Sequence, residues 1–301
     1  MNGDAWKHYM PTAVLLLLMI GLTAWSFASG NAVAAGSPEI TLLGGILLLV
    51  VGLAAGMLGG IIGTGGCSVM LPILHFWLGY PAPIAIGTTL FAVIFTAISG
   101  GSGHLLRGNL DKRATLWLGG GGILGVILGS WLFGFLATQT ALLGLLLGLA
   151  FLLPSARMIW EGVMHRKKPQ QEGTAIPGSK TALAAFSFVI GILTGLVGLG
   201  GGYALVPGLI YLFGAPVYVT MGTSLAAMIP LAIVGGGIKL AQGYVALGAG
   251  LLLAVGTIIG AQIGAAVIKL FKPTTLKLIF GIYFLYVSLK FILGYFGIMI
   301  W

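Results

Sequence analysis

Few residues in this chain have the chemistry to do work. Two glycine runs, Gly63-Thr64-Gly65-Gly66-Cys67 and Gly198-Leu199-Gly200-Gly201-Gly202, each interrupt an apolar stretch and are followed by a proline, Pro72 and Pro207. Glycine at that density breaks a helix and lets another group approach the backbone closely. A short helix beginning after the break turns its first N–H groups and its positive dipole end toward the gap. Free amides in an apolar setting suit an anion. Gly63, Gly65, Gly66, Gly198, Gly200, Gly201 and Gly202 are therefore the leading candidates for a substrate site, with close helix packing as the competing use of such glycines.

The other candidates are polar side chains placed against an apolar background. Thr88, Thr89, Thr223 and Ser224 lie early in the helix after each break, where their hydroxyls can donate to an oxyanion or bond back to their own helix. His75 follows the first break, and as the titrating side chain nearest the expected path it is read either as a contact or as a packed, hydrogen-bonded histidine. Lys290 falls near the middle of the last helix, too deep to snorkel, as an anion attractor or a partner for backbone carbonyls. Cys67 reads as a small buried thiol, with redox sensing a distant second, though it closes the first glycine run and so borders the site. His104 and Lys239 sit near helix ends, as a funnel for anions or as interfacial residues.

The acids exclude whole classes of function. Asp4, Glu39, Asp111, Glu161 and Glu172 all fall in the tail or in loops, which leaves no membrane carboxylate to relay protons or bind sodium. No His/Asp/Glu metal set and no Ser/Lys or Asp/Asp constellation is found within the helices, so an intramembrane enzyme, a bound metal and a cofactor are not expected. One cysteine excludes an internal disulfide. A sensor or assembly partner would carry a soluble domain or docking tail, and the longest loop is only 161–181.

The elements that must position these residues are membrane helices. Of 301 residues, 58% are hydrophobic and 6% charged, too few charges to cover a soluble surface. The net charge of +9 is scattered through loops flanking apolar runs, which the bilayer explains better than nucleic acid does. Runs long enough to cross a hydrocarbon core predict helices near 11–29, 41–60, 84–106, 115–137, 140–160, 182–199, 217–240, 245–268 and 278–300, with short helices over 67–79 and 202–213. The first is longer than a secretory signal's apolar core, so the Ala32-Val33-Ala34 pattern after it is not read as a cleavage site.

Lysine and arginine set the sidedness. The 161–181 loop, with Arg166, Lys167, Lys168 and Lys180, is placed in the cytoplasm together with the N-terminus, and the loop around Glu39 outside. Counting helices from it brings Arg107, Lys112, Arg113, Lys269, Lys272 and Lys277 inside as well.

One offset, 207 − 72 = 135, carries the first half onto the second without a gap. Residues 56–129 and 191–264 share 28 identities in 74 pairs, the mark of an internal duplication. Gly121, Gly125 and Gly129 fall on Gly256, Gly260 and Gly264, spaced by four and assigned to helix packing. By the charge count the halves are inverted, a transporter architecture in which substrate binds where interrupted helices meet near the midplane. The expected fold is thus an all-α polytopic membrane protein with an inverted repeat, about nine full helices and two short ones. Its parts are 1–40, an N-terminal helix and external loop; 41–160, the first half with a linking helix; 161–181, the cytoplasmic loop; and 182–301, the second half with a last helix beyond the repeat.

Gly60-x-x-Gly63-x-Gly65-Gly66 with a proline six residues on, repeated at Gly195 to Gly201 and joined by a downstream Gly-Thr-Thr or Gly-Thr-Ser, resembles the sulfite exporter TauE/SafE family over about 41–300. Gly108-Asn109-Leu110-Asp111 is similar to that family's glycine–acidic turn, although the second copy, Gly243-Tyr244-Val245-Ala246, lacks the acid. The resemblance implies a permease of the cell inner membrane that exports sulfite or a small organosulfonate. Another small anion such as thiosulfate, and import rather than export, stay open, as does the oligomeric state.

Overall fold

A backbone amide in hydrocarbon has only its own chain to bond to, so long apolar runs become helices. The computed structural model describes residues 5–30, 34, 36–164, 173–267 and 273–298, and among these it contains no strand. The helices are α1 (Ala5–Ala28), α2 (Leu42–Ile62), α3 (Cys67–Pro72, continued by a π-turn over Ile73–Trp77), α4 (Ala82–Leu106), α5 (Lys112–Leu136), α6 (Thr140–Met164), α7 (Lys180–Val197), α8 (Gly202–Tyr211), α9 (Val217–Ala241), α10 (Leu247–Val267) and α11 (Pro273–Tyr295). Nine are long and two short, as expected, and eight of the described segments are long and apolar enough to cross a bilayer. This is a multi-pass membrane protein. Arg166, Lys167, Lys168, Glu172, Lys269, Lys272, Asp4, Ala32 and Val33 lie outside the described residues.

Glycine sets which helices meet. Gly52, Gly56 and Gly60 of α2 lie against the backbone of Leu253, Thr257 and Ala261 of α10; a Cβ on Gly56 would fall 2.5 Å from the Thr257 carbonyl oxygen, and one on Gly60 2.6 Å from that of Ala261. From the other side, Gly256, Gly260 and Gly264 meet Leu49, Leu53 and Met57. The second such pair joins α5, through Gly121, Gly125 and Gly129, to Ala184, Phe188 and Ile192 of α7. In both pairs the residue numbers rise together, so the helices run parallel. The offset of 135 maps α2 onto α7 and α5 onto α10, so each pair takes one helix from each half and the halves interlock.

The equivalent helices α4 and α9 cross in the opposite sense. Gly100 and Gly101 face Leu225 and Ala226, whereas Gly235 and Gly236 face Leu90 and Phe91, which makes the two antiparallel. The last helix corrects the reading that left it beyond the repeat. Shifting α6 by 135 gives 275–299, and α11 packs antiparallel on α6, with Gly144 against Phe291, Gly148 against Ile292, Phe151 5.6 Å from Phe284 and Gly281 against Ile159. This pair lacks the glycine signature that made the other equivalences visible in the sequence. Because α11 starts and ends earlier than expected, Lys290 stands five residues from its end (295 − 290) rather than near its middle. Outside the interlocked core, α1 rests on α10 through Met19, beside Leu251, Ala254 and Ile258, and Gln262 Nε2 donates to Thr12 Oγ1 at 3.1 Å.

The packing predicts position-specific effects of one methyl group. Gly125→Ala and Gly260→Ala should each cost about 1–3 kcal/mol, since the new methyl meets facing backbone that cannot yield. Gly120→Ala and Gly237→Ala, where nothing lies within 4 Å, should be neutral or slightly stabilising, given alanine's better helix propensity. Thermal denaturation in detergent separates the two sets.

Candidate functional site

The two breaks have the same backbone. Gly63, Gly65 and Gly66 have φ of 82°, 73° and 75°, and Gly198, Gly200 and Gly201 have 70°, 69° and 77°. This left-handed conformation costs an L side chain roughly 1–2 kcal/mol per residue, which accounts for three glycines at matching places in each copy. The amides of Gly63 and Gly198 still close their helices on the carbonyls of Gly59 and Thr194, each at 2.8 Å. Beyond them the ladder stops. Among the described residues, no hydrogen bond engages the amides of Thr64, Gly65 and Gly66 or those of Leu199, Gly200 and Gly201, and all of these residues are buried. Unpaired buried N–H groups are rare in proteins, and here they occur as two equivalent sets.

Tertiary packing brings the sets together. The Cys67 thiol donates to the Leu199 carbonyl of the opposite break, and a Cβ on Gly202 would stand 2.7 Å from the Gly63 carbonyl oxygen. Val93 and Met228 fill the junction: a Cβ on Gly65 would meet them at 3.2 and 2.5 Å, and one on Gly200 at 3.3 and 3.0 Å. These two side chains are themselves equivalent, 228 − 93 = 135. Sequence reading missed them, although the repeat offset pairs them and both lie one turn beyond the candidate hydroxyls. It also missed Tyr203, directly after the second break, whose buried Oη has no partner among the described residues.

The glycines differ in where they look. Gly65 and Gly200 face the junction, whereas a Cβ on Gly66 would strike the Ala55 carbonyl and one on Gly201 would lie 2.7 Å from Thr194 Oγ1, each within its own half.

The structure commits most of the candidate hydroxyls to the backbone. Thr88 Oγ1 accepts from the Ala246 amide and Thr223 Oγ1 from the Asp111 amide, both at 2.9 Å. The glycine before each, Gly87 or Gly222, makes room for the carbonyl of Tyr244 or Asn109. The repeated Gly-Thr therefore anchors the turns that lead into α10 and α5. Thr89 bonds back to Ala85 and Ile86 of its own helix. Ser224 alone of the four reaches a break, donating to the Gly63 carbonyl at 2.7 Å. Asp111 caps α5 through Ala114 and, with its other oxygen, accepts from the Ile176 amide at 2.7 Å, tying the segment after the basic loop to the first half.

His75 and Lys290 are not brought to the breaks. His75 Nδ1 lies 2.9 Å from the Tyr80 carbonyl oxygen, and its ring stacks on Phe291 at 5.5 Å. Lys290 Nζ sits 4.8 Å from the Phe76 ring centroid and 5.4 Å from that of Trp77, clasping α11 to the π-turn. Arg157 of α6 lies 3.7 Å over Tyr211, the equivalent of Phe76 (211 − 76 = 135), so each post-break helix carries a cation from the α6–α11 pair. His104 and Lys239 are fully buried, each in the last turn of its helix.

Residues 47–291 match the family model described as Sulfite exporter TauE/SafE. The chain belongs to this family. The TauE/SafE match takes in both breaks and both interlocked pairs. Among relatives, the "Probable membrane transporter protein YdhB" of Bacillus subtilis is 28% identical over 77% of this chain and 94% of its own. A protein of the same description from Methanocaldococcus jannaschii is 28% identical over 77% and 89%, and one from Xylella fastidiosa 32% identical over 60% and 66%. No solved structure matches. Family and relatives alike describe a membrane transporter.

If the Gly-Thr pairs are anchors, Thr88→Val and Thr223→Val should each lower stability by about 1–3 kcal/mol, the cost of stranding a buried amide. The KM for transport should stay unchanged in whatever folded protein remains. Denaturation and flux measured on the same preparations check both parts.

Proposed function

We propose that the protein exports a small sulfur-containing anion, sulfite or an organosulfonate, across the cell inner membrane, with the N-terminus and the 161–181 loop on the cytoplasmic side. The observation that carries this reading is the meeting of two equivalent sets of unengaged amides in the buried centre of a transporter-family protein. Neutral donors fixed by a glycine backbone bind an oxyanion without a compensating cation, as helix N-termini do. The candidate contacts are the amides of Thr64, Gly65 and Gly66 and of Leu199, Gly200 and Gly201, held in place by Gly63, Gly198 and Gly202, with Cys67 and Ser224 beside them.

An anion leaving a negatively charged interior gains about 2.3 kcal/mol per charge per 100 mV. Export therefore needs no coupling ion, in keeping with the absence of acids from the candidate spans among the described residues: Glu161, which the sequence placed in a loop, falls in the last turn of α6, just beyond the span that ends at Trp160. Val93 and Met228 close the junction as described, and the inverted halves present it to each side in turn as the two side chains move apart.

The test is potential-driven efflux from proteoliposomes loaded with sulfite, sulfoacetate, thiosulfate or sulfate. Wild-type protein should pass a sulfur oxyanion. Gly65→Ala and Gly200→Ala, which add a methyl toward the junction rather than into one half, should reduce kcat/KM by about tenfold or more, a barrier change of roughly 1.4 kcal/mol. Undiminished flux in both folded variants would remove the breaks from the pathway.

A further inference from the structure

Lys239 lies in the last turn of α9 and is fully buried, and its Nζ has no hydrogen-bond partner among the described residues. It hangs 3.1 Å from the ring centroid of Phe133, itself fully buried on α5. One turn earlier on α5, Ser130 is fully buried too, and its Oγ likewise has no hydrogen-bond partner among the described residues. Gln242, one turn beyond Lys239, reaches the Ser130 carbonyl with Nε2 at 3.5 Å, so α9 and α5 are in register here. Gly195 of α7 closes the third side, since a Cβ there would stand 2.6 Å from the Ser130 amide nitrogen.

The other half carries a different side chain at this position. The equivalent of Lys239 is His104 (239 − 104 = 135), whose Nε2 lies 2.9 Å from the Gly60 carbonyl oxygen. Gly60 is in turn the equivalent of Gly195. Where the first half sets one imidazole nitrogen on a carbonyl and leaves the other, Nδ1, without a partner among the described residues, the second puts a longer cation that makes no such bond, with an unsatisfied hydroxyl one turn from the ring it rests on. No acidic side chain among the described residues supplies a counter-charge: Asp111, for example, spends its carboxylate on Ala114 and Ile176.

We infer that Lys239 and Ser130 form a second anion site, between the ends of α5 and α9 on the outer side in the orientation proposed above, through which the substrate passes between the glycine breaks and the exterior. The inference rests on the reading of the protein as an anion transporter. A buried ammonium with an aromatic face but no counter-charge or hydrogen-bond acceptor is unfavourable, and ionisable groups inside membranes mark ion pathways. A small oxyanion satisfies both orphans at once, taking charge from Nζ and a hydrogen bond from Oγ. The first half has no matching pair, because Ala265 stands at the place of Ser130 (265 − 130 = 135). The site is therefore one-sided, as an exit station is.

The test combines flux with anion-dependent melting of the purified protein in lipid-free detergent, using sulfite as the probe. Lys239→Met should raise the KM for sulfite efflux about tenfold and Ser130→Ala about threefold, with Lys239→Arg between wild type and Lys239→Met. Without anion, Lys239→Met should melt no lower than wild type, since an unpaired buried cation has gone. An unchanged KM in Lys239→Met, or a sulfite-induced rise in melting temperature equal to that of wild type, would overturn the second site. If Lys239→Met does not fold, Lys239→Gln and Ser130→Ala decide by the same criteria. If wild type passes no anion, the proposed function fails on its own. The second site is then judged by melting alone: a sulfite effect present in wild type and absent in the variants supports it, and no effect in wild type overturns it.

Discussion

Inside a bilayer, backbone amides cannot turn to water, and every departure from helix must be buried against protein or set to use. Among the described residues, the glycine breaks at Gly63 to Gly66 and Gly198 to Gly201 are two such departures, and both are buried. They are enclosed by each other. Cys67 spans from one to the carbonyl of Leu199 in the other, and Val93 and Met228 occupy the space between. The amides left over have no hydrogen-bond partner among the described residues, and it is on these that the proposed function rests.

The enclosure depends on helices approaching nearer than side chains normally allow. Parallel pairs, α2 with α10 and α5 with α7, bring backbone onto backbone through glycines spaced by four. Because each pair joins one half to the other, the breaks at the ends of α2 and α7 are held by helices of the opposite half. Neither half can build the junction alone.

The α6–α11 pair plays a different part. It touches the helices that follow the breaks through two cation–aromatic contacts, Lys290 over Phe76 and Trp77, and Arg157 over Tyr211. By the charge-derived topology these contacts lie on opposite sides of the membrane. Each is worth about 0.5–1 kcal/mol at an exposed site, enough to bias a helix position without locking it.

Much of this was legible in the chain itself. Hydrophobic runs, glycine spacing and the single offset of 135 determined the helix count, the duplication, the packing role of Gly121, Gly125, Gly129, Gly256, Gly260 and Gly264, and the location of both breaks, because these follow from local backbone physics repeated at a fixed interval. Partner choice depended on the tertiary structure. A threonine after a glycine has the same local chemistry whether it binds a ligand or an amide more than a hundred residues away, and only the packed chain commits Thr88 to Ala246 and Thr223 to Asp111. Likewise His75 and Lys290 were placed by distance along the chain, while their aromatic neighbours come from separate helices. The Lys239 and Ser130 orphans belong to that second class, since an unsatisfied group is defined by what surrounds it in space.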